Sequence, residues 1–253
     1  MIIYMIQFYL GKIVMKTFDN LLSEAGITRS NGYDFYFSSY IYKDINLDGK
    51  KILDIGGGNG LASFHALDNS SSCSAWVVDP IAEGSNELMF EQYESMKKNY
   101  DPGRINFHRD YVDTLLEPNT FDIIVMHNTI NHIGEDILED INKSSEAYAE
   151  YVSRLKTILD RLSSDGTLIV ADCGSKNFFG KIGLKSPFAP SIDWHLHCEP
   201  GVWRKMIEEL GFLHIKTQWT ARREFGVFGK IFLANRTCSY FLNSHFVSFY
   251  EKK

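Results

Sequence analysis

A single run, Lys51-Ile52-Leu53-Asp54-Ile55-Gly56-Gly57-Gly58-Asn59-Gly60, constrains this chain more than any other feature. Ile52, Leu53 and Ile55 read as a strand buried on both faces, and such strands belong to parallel sheets. The glycines that follow let the backbone turn sharply where a Cβ would clash with a ligand. A second apolar run, Ala75-Trp76-Val77-Val78, ends in Asp79-Pro80 about twenty residues on, where an acidic side chain suits the hydroxyls of a ribose. Together these residues describe a nucleoside-binding βαβ unit.

The glycine spacing narrows the nucleoside. A dinucleotide fingerprint needs glycines at offsets one, three and six. Counted from Gly56 the sixth position is Leu61, and from Gly58 it is Ser63. Asp54 would oppose a phosphate but suits an ammonium group, which S-adenosylmethionine carries beside a cationic sulfonium. The pattern Asp54-x-Gly56-x-Gly58-x-Gly60 resembles the first motif of class I S-adenosylmethionine-dependent methyltransferases.

The remaining order of elements agrees. Alternating strand and helix signals predict an α/β fold, a three-layer Rossmann-like sheet that is mostly parallel with an antiparallel last strand. Phe18 to Ala25 reads as an amphipathic helix closed by Gly26. Strands are expected at 52–55, 75–78, 105–107, 121–126, 167–171, 213–219 and 246–250. Tyr148, Tyr151, Leu155, Ile158 and Leu162 share a helical face, with Asp165-Gly166 as its stop. Residues 1–44 are assigned to an N-terminal helical or cap segment, and 45–253 to the methyltransferase domain. Stretches 173–199 and 220–245 are too long for simple connections and read as acceptor-site insertions, the second with a helix-like run from Ile231 to Leu242.

The resemblance implies roles for individual residues. Gly56, Gly57, Gly58 and Gly60 would lie against the methionine part of the cofactor and Asp54 would hold its ammonium. Asp79, with Pro80, would take the ribose. Asp110 would accept from the adenine amino group with Tyr111 beside the ring, and His127 and Asn128 would lie under the sulfonium. Each has a structural rival: a turn cap for Asp54, a helix cap for Asp79, an ordinary charged loop for Asp110 and a core aromatic for Tyr111.

Methyl transfer to a hydroxyl needs alignment and a general base. His132, just past the fourth strand, and His195 are the expected bases. Trp194, His197 and Lys185 are the expected acceptor contacts, within an aromatic wall from Lys176 to His197. If 193–199 is extended, Asp193, His195, His197 and Glu199 share one face. That face reads first as substrate contact, then as a polar surface, and last as a metal site; no metal is assigned. The expected activity is methylation of a small molecule, at oxygen, on a sugar or nucleotide-linked sugar. The alternatives are a silent S-adenosylmethionine-binding module and a nicotinamide-dependent oxidoreductase.

A net charge of −6 argues against nucleic acid as a partner, although residues 173–236 hold ten Lys/Arg against five Asp/Glu. The apolar first ten residues are too short to span a bilayer and lack a basic leader. They read as a peripheral element with no membrane role, and Met15 offers an alternative start. Four cysteines without paired spacing point to a reducing cytoplasm. The sequence leaves the oligomeric state open, a homo-oligomer included.

Overall fold

The computed structural model describes residues 17–82, 84–115 and 120–252. The apolar first ten residues and the alternative start at Met15 lie outside them. The elements run α1 (Phe18–Glu24), α2 (Tyr33–Tyr36), β1 (Lys51–Ile55), α3 (Leu61–Asn69), β2 (Ser74–Val78), α4 (Glu87–Lys97), β3 (Ile105–His108) and β4 (Phe121–His127). Then come α5 (Glu135–Leu138), α6 (Ser145–Leu159), β5 (Leu162–Cys173), α7 (Phe178–Lys181), α8 (Pro200–Glu209), β6 (Phe212–Trp219), α9 (Gly226–Phe228), α10 (Arg236–Phe241) and β7 (His245–Lys252).

The seven strands form one sheet in the order β3-β2-β1-β4-β5-β7-β6. β1 to β5 pair in parallel, and β7 inserts antiparallel between β5 and β6. This is the doubly wound sheet expected from the alternating signals. Side chains alternate across it and divide the core into two layers. Ile123 and Val125 of β4 face a layer that holds Phe64 and Tyr93, while Ile124 and Met126 face one that holds Tyr151 and Trp203.

Local chemistry fixes the helix starts. Thr17, Asn86 and Ser144 each accept a hydrogen bond from the backbone N–H three residues on, at the heads of α1, α4 and α6, and Pro200 opens α8. The N-terminal helices are part of the main core. Phe18, Leu22 and Phe37 are buried in the same layer as Phe64 and Val77.

Three local expectations change. Leu162 has helical spacing, yet α6 ends at Leu159 and Leu162 starts β5, where it pairs with Phe121. The register shifts between Phe121 and Ile123, so β5 begins five residues before the expected Thr167. The run from Ile231 to Leu242 is broken at Asn235, whose side chain caps a separate helix, α10. Residues 193–199 are not extended: Trp194–Leu196 form a 3-10 turn. Asp193, His195, His197 and Glu199 therefore lack a common strand face, and no three metal-ligating groups converge among the described residues.

Among the described residues no helix is long and apolar enough to cross a membrane. All four cysteines are free.

Candidate active site

A cavity of about 990 Å³ opens at the carboxyl ends of β1, β2 and β4, where doubly wound sheets place their ligands. Gly56, Gly57 and Gly58 form part of its floor. Gly56 has φ +62°, and a Cβ there would fall 2.5 Å from Thr129 Cγ2. Gly58 has φ +53°, and the nearest atom a Cβ there would meet is Met89 Sδ at 3.4 Å, so a side chain would enter the cavity. Left-handed backbone and open space at one residue make a cradle that only glycine leaves free.

Asp79 closes one end of this floor and is almost fully buried. Its Oδ2 accepts from Gly58 N and Ser85 Oγ, both at 2.8 Å, and its Oδ1 accepts from Ile81 N at 2.8 Å. The Ser85 hydroxyl already stands as an O–H donor, the group a ribose would present. Oδ1 keeps one further lone pair. Pro80 lines the cavity beside it. Asp110 and Tyr111 stand at the rim; Tyr111 is 61% exposed, with its backbone N–H donating to Asp110 Oδ1 at 2.8 Å. They can flank a planar base.

Two of the expected cofactor residues sit behind the cradle instead of in it. Neither Asp54 nor Gly60 lines the cavity. Asp54 is buried, its Oδ2 accepting from Ser63 Oγ at 2.9 Å and Ser63 N at 3.3 Å, which ties β1 to the first turn of α3. Its Oδ1 has no partner among the described residues. Burial pushes its carboxyl up to about 7, against the pull of the Ser63 hydrogen bonds. Gly60, at φ +73°, lets Tyr93 and Phe64 pack against the loop.

At the end of β4, His127 and Asn128 both line the cavity. Asn128 has φ +58°, a conformation held for a non-glycine residue by its N–H to Ala171 O at 2.7 Å. Its side chain faces His245 Nε2 at 3.3 Å, and His245 Nδ1 meets Thr220 Oγ1 at 2.9 Å. Burial holds His127 down at about 4, with the Arg223 cation adding to the effect. Burial and His127 hold His245 at about 3. Both imidazoles are neutral at pH 7, so the middle of the cavity lacks titrating positive charge.

His132 also lines the cavity. Its Nδ1 lies 3.1 Å from Glu135 Oε2 at the start of α5. With Nδ1–H donating to that carboxylate, Nε2 remains an acceptor, the tautomer a general base requires. Glu135 carries no sequence signal of this role beyond its three-residue interval from His132.

The second expected base, His195, and the expected acceptor contacts fall elsewhere. His195, Trp194 and His197 line a separate, neighbouring pocket and Lys185 lines neither. Trp194 and His197 are buried, while His195 and Lys185 are exposed. Phe188 and Ile192, ahead of the 3-10 turn, line the cavity, and Trp194 within the turn does not. Tyr33, Tyr36 and Arg223 also line the cavity. The Arg223 guanidinium lies 4.0 Å above the Tyr33 ring, and Tyr36 Oη is 3.2 Å from His127 Nε2. The Tyr/Phe-rich run at 33–42 gives no direct sign of this role.

A glycine cradle, a buried ribose-type carboxylate and a rim that can flank adenine fit S-adenosylmethionine. With this sheet they make the arrangement that class I S-adenosylmethionine-dependent methyltransferases share. The chain is similar to the mitochondrial ubiquinone biosynthesis O-methyltransferase of Schizosaccharomyces pombe, 25% identical over 226 residues that cover 82% of this chain and 73% of that one. In fold it is similar to magnesium protoporphyrin IX methyltransferase (ChlM) from Synechocystis PCC 6803, seen with bound SAH, at TM-score 0.53, 15% identity and coverage of 83% and 77%. It is also similar in fold to the pyocyanin biosynthetic protein PhzM, at TM-score 0.52, 14% identity and 88% coverage of this chain. This chain spans 55% of PhzM's length. No protein-family model matches the chain.

Proposed function

We propose that the protein O-methylates a small hydroxylated acceptor, with His132 as the general base. The observation that carries this reading is the His132–Glu135 pair, 3.1 Å apart, at the wall of the cavity that holds the glycine cradle. S-adenosylmethionine, when bound, supplies an already activated methyl group. Gly56, Gly57 and Gly58 would hold its methionine part, Asp79 and Pro80 the ribose, and Asp110 with Tyr111 the adenine. His127 and Asn128 would lie under the sulfonium. Asp54 acts one layer back, fixing the loop through Ser63.

His132 Nε2 takes the hydroxyl proton as the oxygen becomes nucleophilic, and Glu135 stabilises the imidazolium that forms. Neutral His127 and His245 add no positive charge of their own beside the transferred group. Tyr33, Tyr36, Phe188 and Ile192 present rings and aliphatic surface, and Arg223 a cation. This wall favours a flat hydroxylated ring bearing an anionic group over the nucleotide-linked sugar expected from the sequence. The fission-yeast relative's name places an O-methyltransferase in ubiquinone biosynthesis, which supports oxygen as the acceptor atom.

The test is transfer of labelled methyl to a panel of phenols, catechols and nucleotide sugars. The expected result is turnover on hydroxylated rings. On an acceptor so found, His132→Ala should lower kcat about 10²–10⁴-fold with cofactor affinity retained, the usual scale for a general base. Unchanged kcat in that variant would remove His132 from the chemistry.

A further inference from the structure

Trp194 and His197, expected as acceptor contacts, and His195, expected as a base, converge instead on a second concavity. Its volume is about 820 Å³, and it shares no lining residue with the methyl-transfer cavity. Trp194, Trp219 and Tyr240 give it aromatic walls, and Lys176, Lys181 and Arg236 supply cations. Glu199 is the single carboxylate, and it is already engaged: Oε1 accepts from Lys176 N at 2.9 Å, and Oε2 lies 4.0 Å from Arg236. Neither the Lys176 nor the Lys181 ammonium has an ion-pair partner among the described residues.

The aromatic wall is fixed in place. A Cβ on Gly180 would fall 2.5 Å from Trp194 Cδ1, so α7 is docked directly on the indole and carries Lys181 with it. Trp194 is only 8% exposed, and its Nε1 donor is buried without a partner among the described residues. A buried indole N–H normally finds an acceptor. Here Trp194 lines a pocket that also gathers two lysines without ion-pair partners among the described residues. A planar group between the aromatic walls and an anion beside the lysines would meet all three features at once.

We propose that the pocket bounded by Trp194, Trp219, Lys176, Lys181 and Arg236 is a second small-molecule site, for a flat ring bearing a phosphate or carboxylate. The site adjoins the methyl-transfer cavity through His197, whose ring stands edge-on to that of His132 at 6.2 Å. Its existence does not depend on the acceptor assignment above.

Phenyl phosphate is a suitable probe, titrated against the full chain saturated with S-adenosylhomocysteine and followed by calorimetry. Inorganic phosphate and phenol serve as the anion-only and ring-only arms. Saturable binding of phenyl phosphate, tighter than either part alone, is the expected result. Lys176→Glu combined with Lys181→Glu should weaken it roughly tenfold or more, the scale of a lost charge-assisted hydrogen bond. Both lysines are exposed, so folding should be unaffected. Trp194→Phe keeps a ring in place but removes the N–H, and should weaken binding with S-adenosylhomocysteine affinity unchanged. No saturable binding to the S-adenosylhomocysteine-saturated chain, or binding indifferent to both variants, would overturn the site.

Discussion

The two walls of the large cavity are made of different material. The wall along β1 and β2 is backbone: three glycines, with a buried carboxylate that accepts from Gly58 N in the glycine turn and from Ile81 N in its own loop. The opposite wall is side chain, drawn from α2 and from the segments around 188–192 and 220–224. Backbone positioned by a parallel sheet tolerates little change, because a Cβ at Gly56 or Gly57 would clash and one at Gly58 would enter the cavity. Side chains on short helices and turns can be exchanged with less disturbance to the fold. The same cavity therefore pairs a rigid backbone floor with a replaceable side-chain wall.

Gly58→Val should produce the largest effect. A branched side chain at φ +53° is strained, and it would occupy space the cofactor needs. Calorimetry should show no detectable binding of S-adenosylmethionine, while thermal unfolding remains cooperative. Retained affinity would mean that the floor is less rigid than the comparison requires.

How far the two walls are legible in the chain follows from the same contrast. The floor is local: β1, its turn and α3 are contiguous, so Gly56 to Gly60 stand out, and Asp79 follows at the end of the next strand. Depth is what the pattern conceals. Asp54 and Gly60 belong to the same motif but face Ser63 and Tyr93, behind the surface that meets a ligand. The acceptor wall is assembled from residues far apart in sequence, and no periodicity ties Tyr33 to Arg223. Residues 193–199 mislead for a definable reason. An alternating polar pattern suggests a strand, but the Asp193 side chain accepts from His195 N and turns the chain into a 3-10 turn. Leu162 likewise carries helical spacing into what is the first residue of β5.

The buried support beneath the floor gives a pH signature of intermediate size. Asp54 is held up at about 7 by burial, well above its value near 4 in an unfolded chain. The folded state then binds more protons between those values. Its contribution to stability is present below pH ~4 and is lost as pH rises through about 7. His127 and His245, held at about 4 and about 3, act in the opposite sense: their contribution is full above pH ~6.5 and lost on acidification. Measuring wild type against Asp54→Asn separates the two, because the histidines are common to both. Between pH 4 and 7 in urea denaturation, wild type should lose stability relative to the variant, by at most ~4 kcal/mol. A flat difference across that window would mean that Asp54 is ionised in the folded state.

The smallest expected effect tests the replaceable wall. Lys185 is exposed and lines neither cavity, although the basic, aromatic character of 176–197 suggests an acceptor contact. Surface substitutions of this kind usually change stability by no more than about 0.5 kcal/mol. Lys185→Ala should therefore leave Tm, cofactor affinity and kcat/KM for a working acceptor close to wild type. Phe188→Ala, three residues further on, removes a ring that does face the large cavity. It should raise KM for the acceptor while cofactor affinity holds. The pair reads the wall at single-residue resolution. If Lys185→Ala raises KM as much as Phe188→Ala does, the bound acceptor extends past the cavity over the exposed turn, and the boundary between the two regions lies further out than the cavity lining places it.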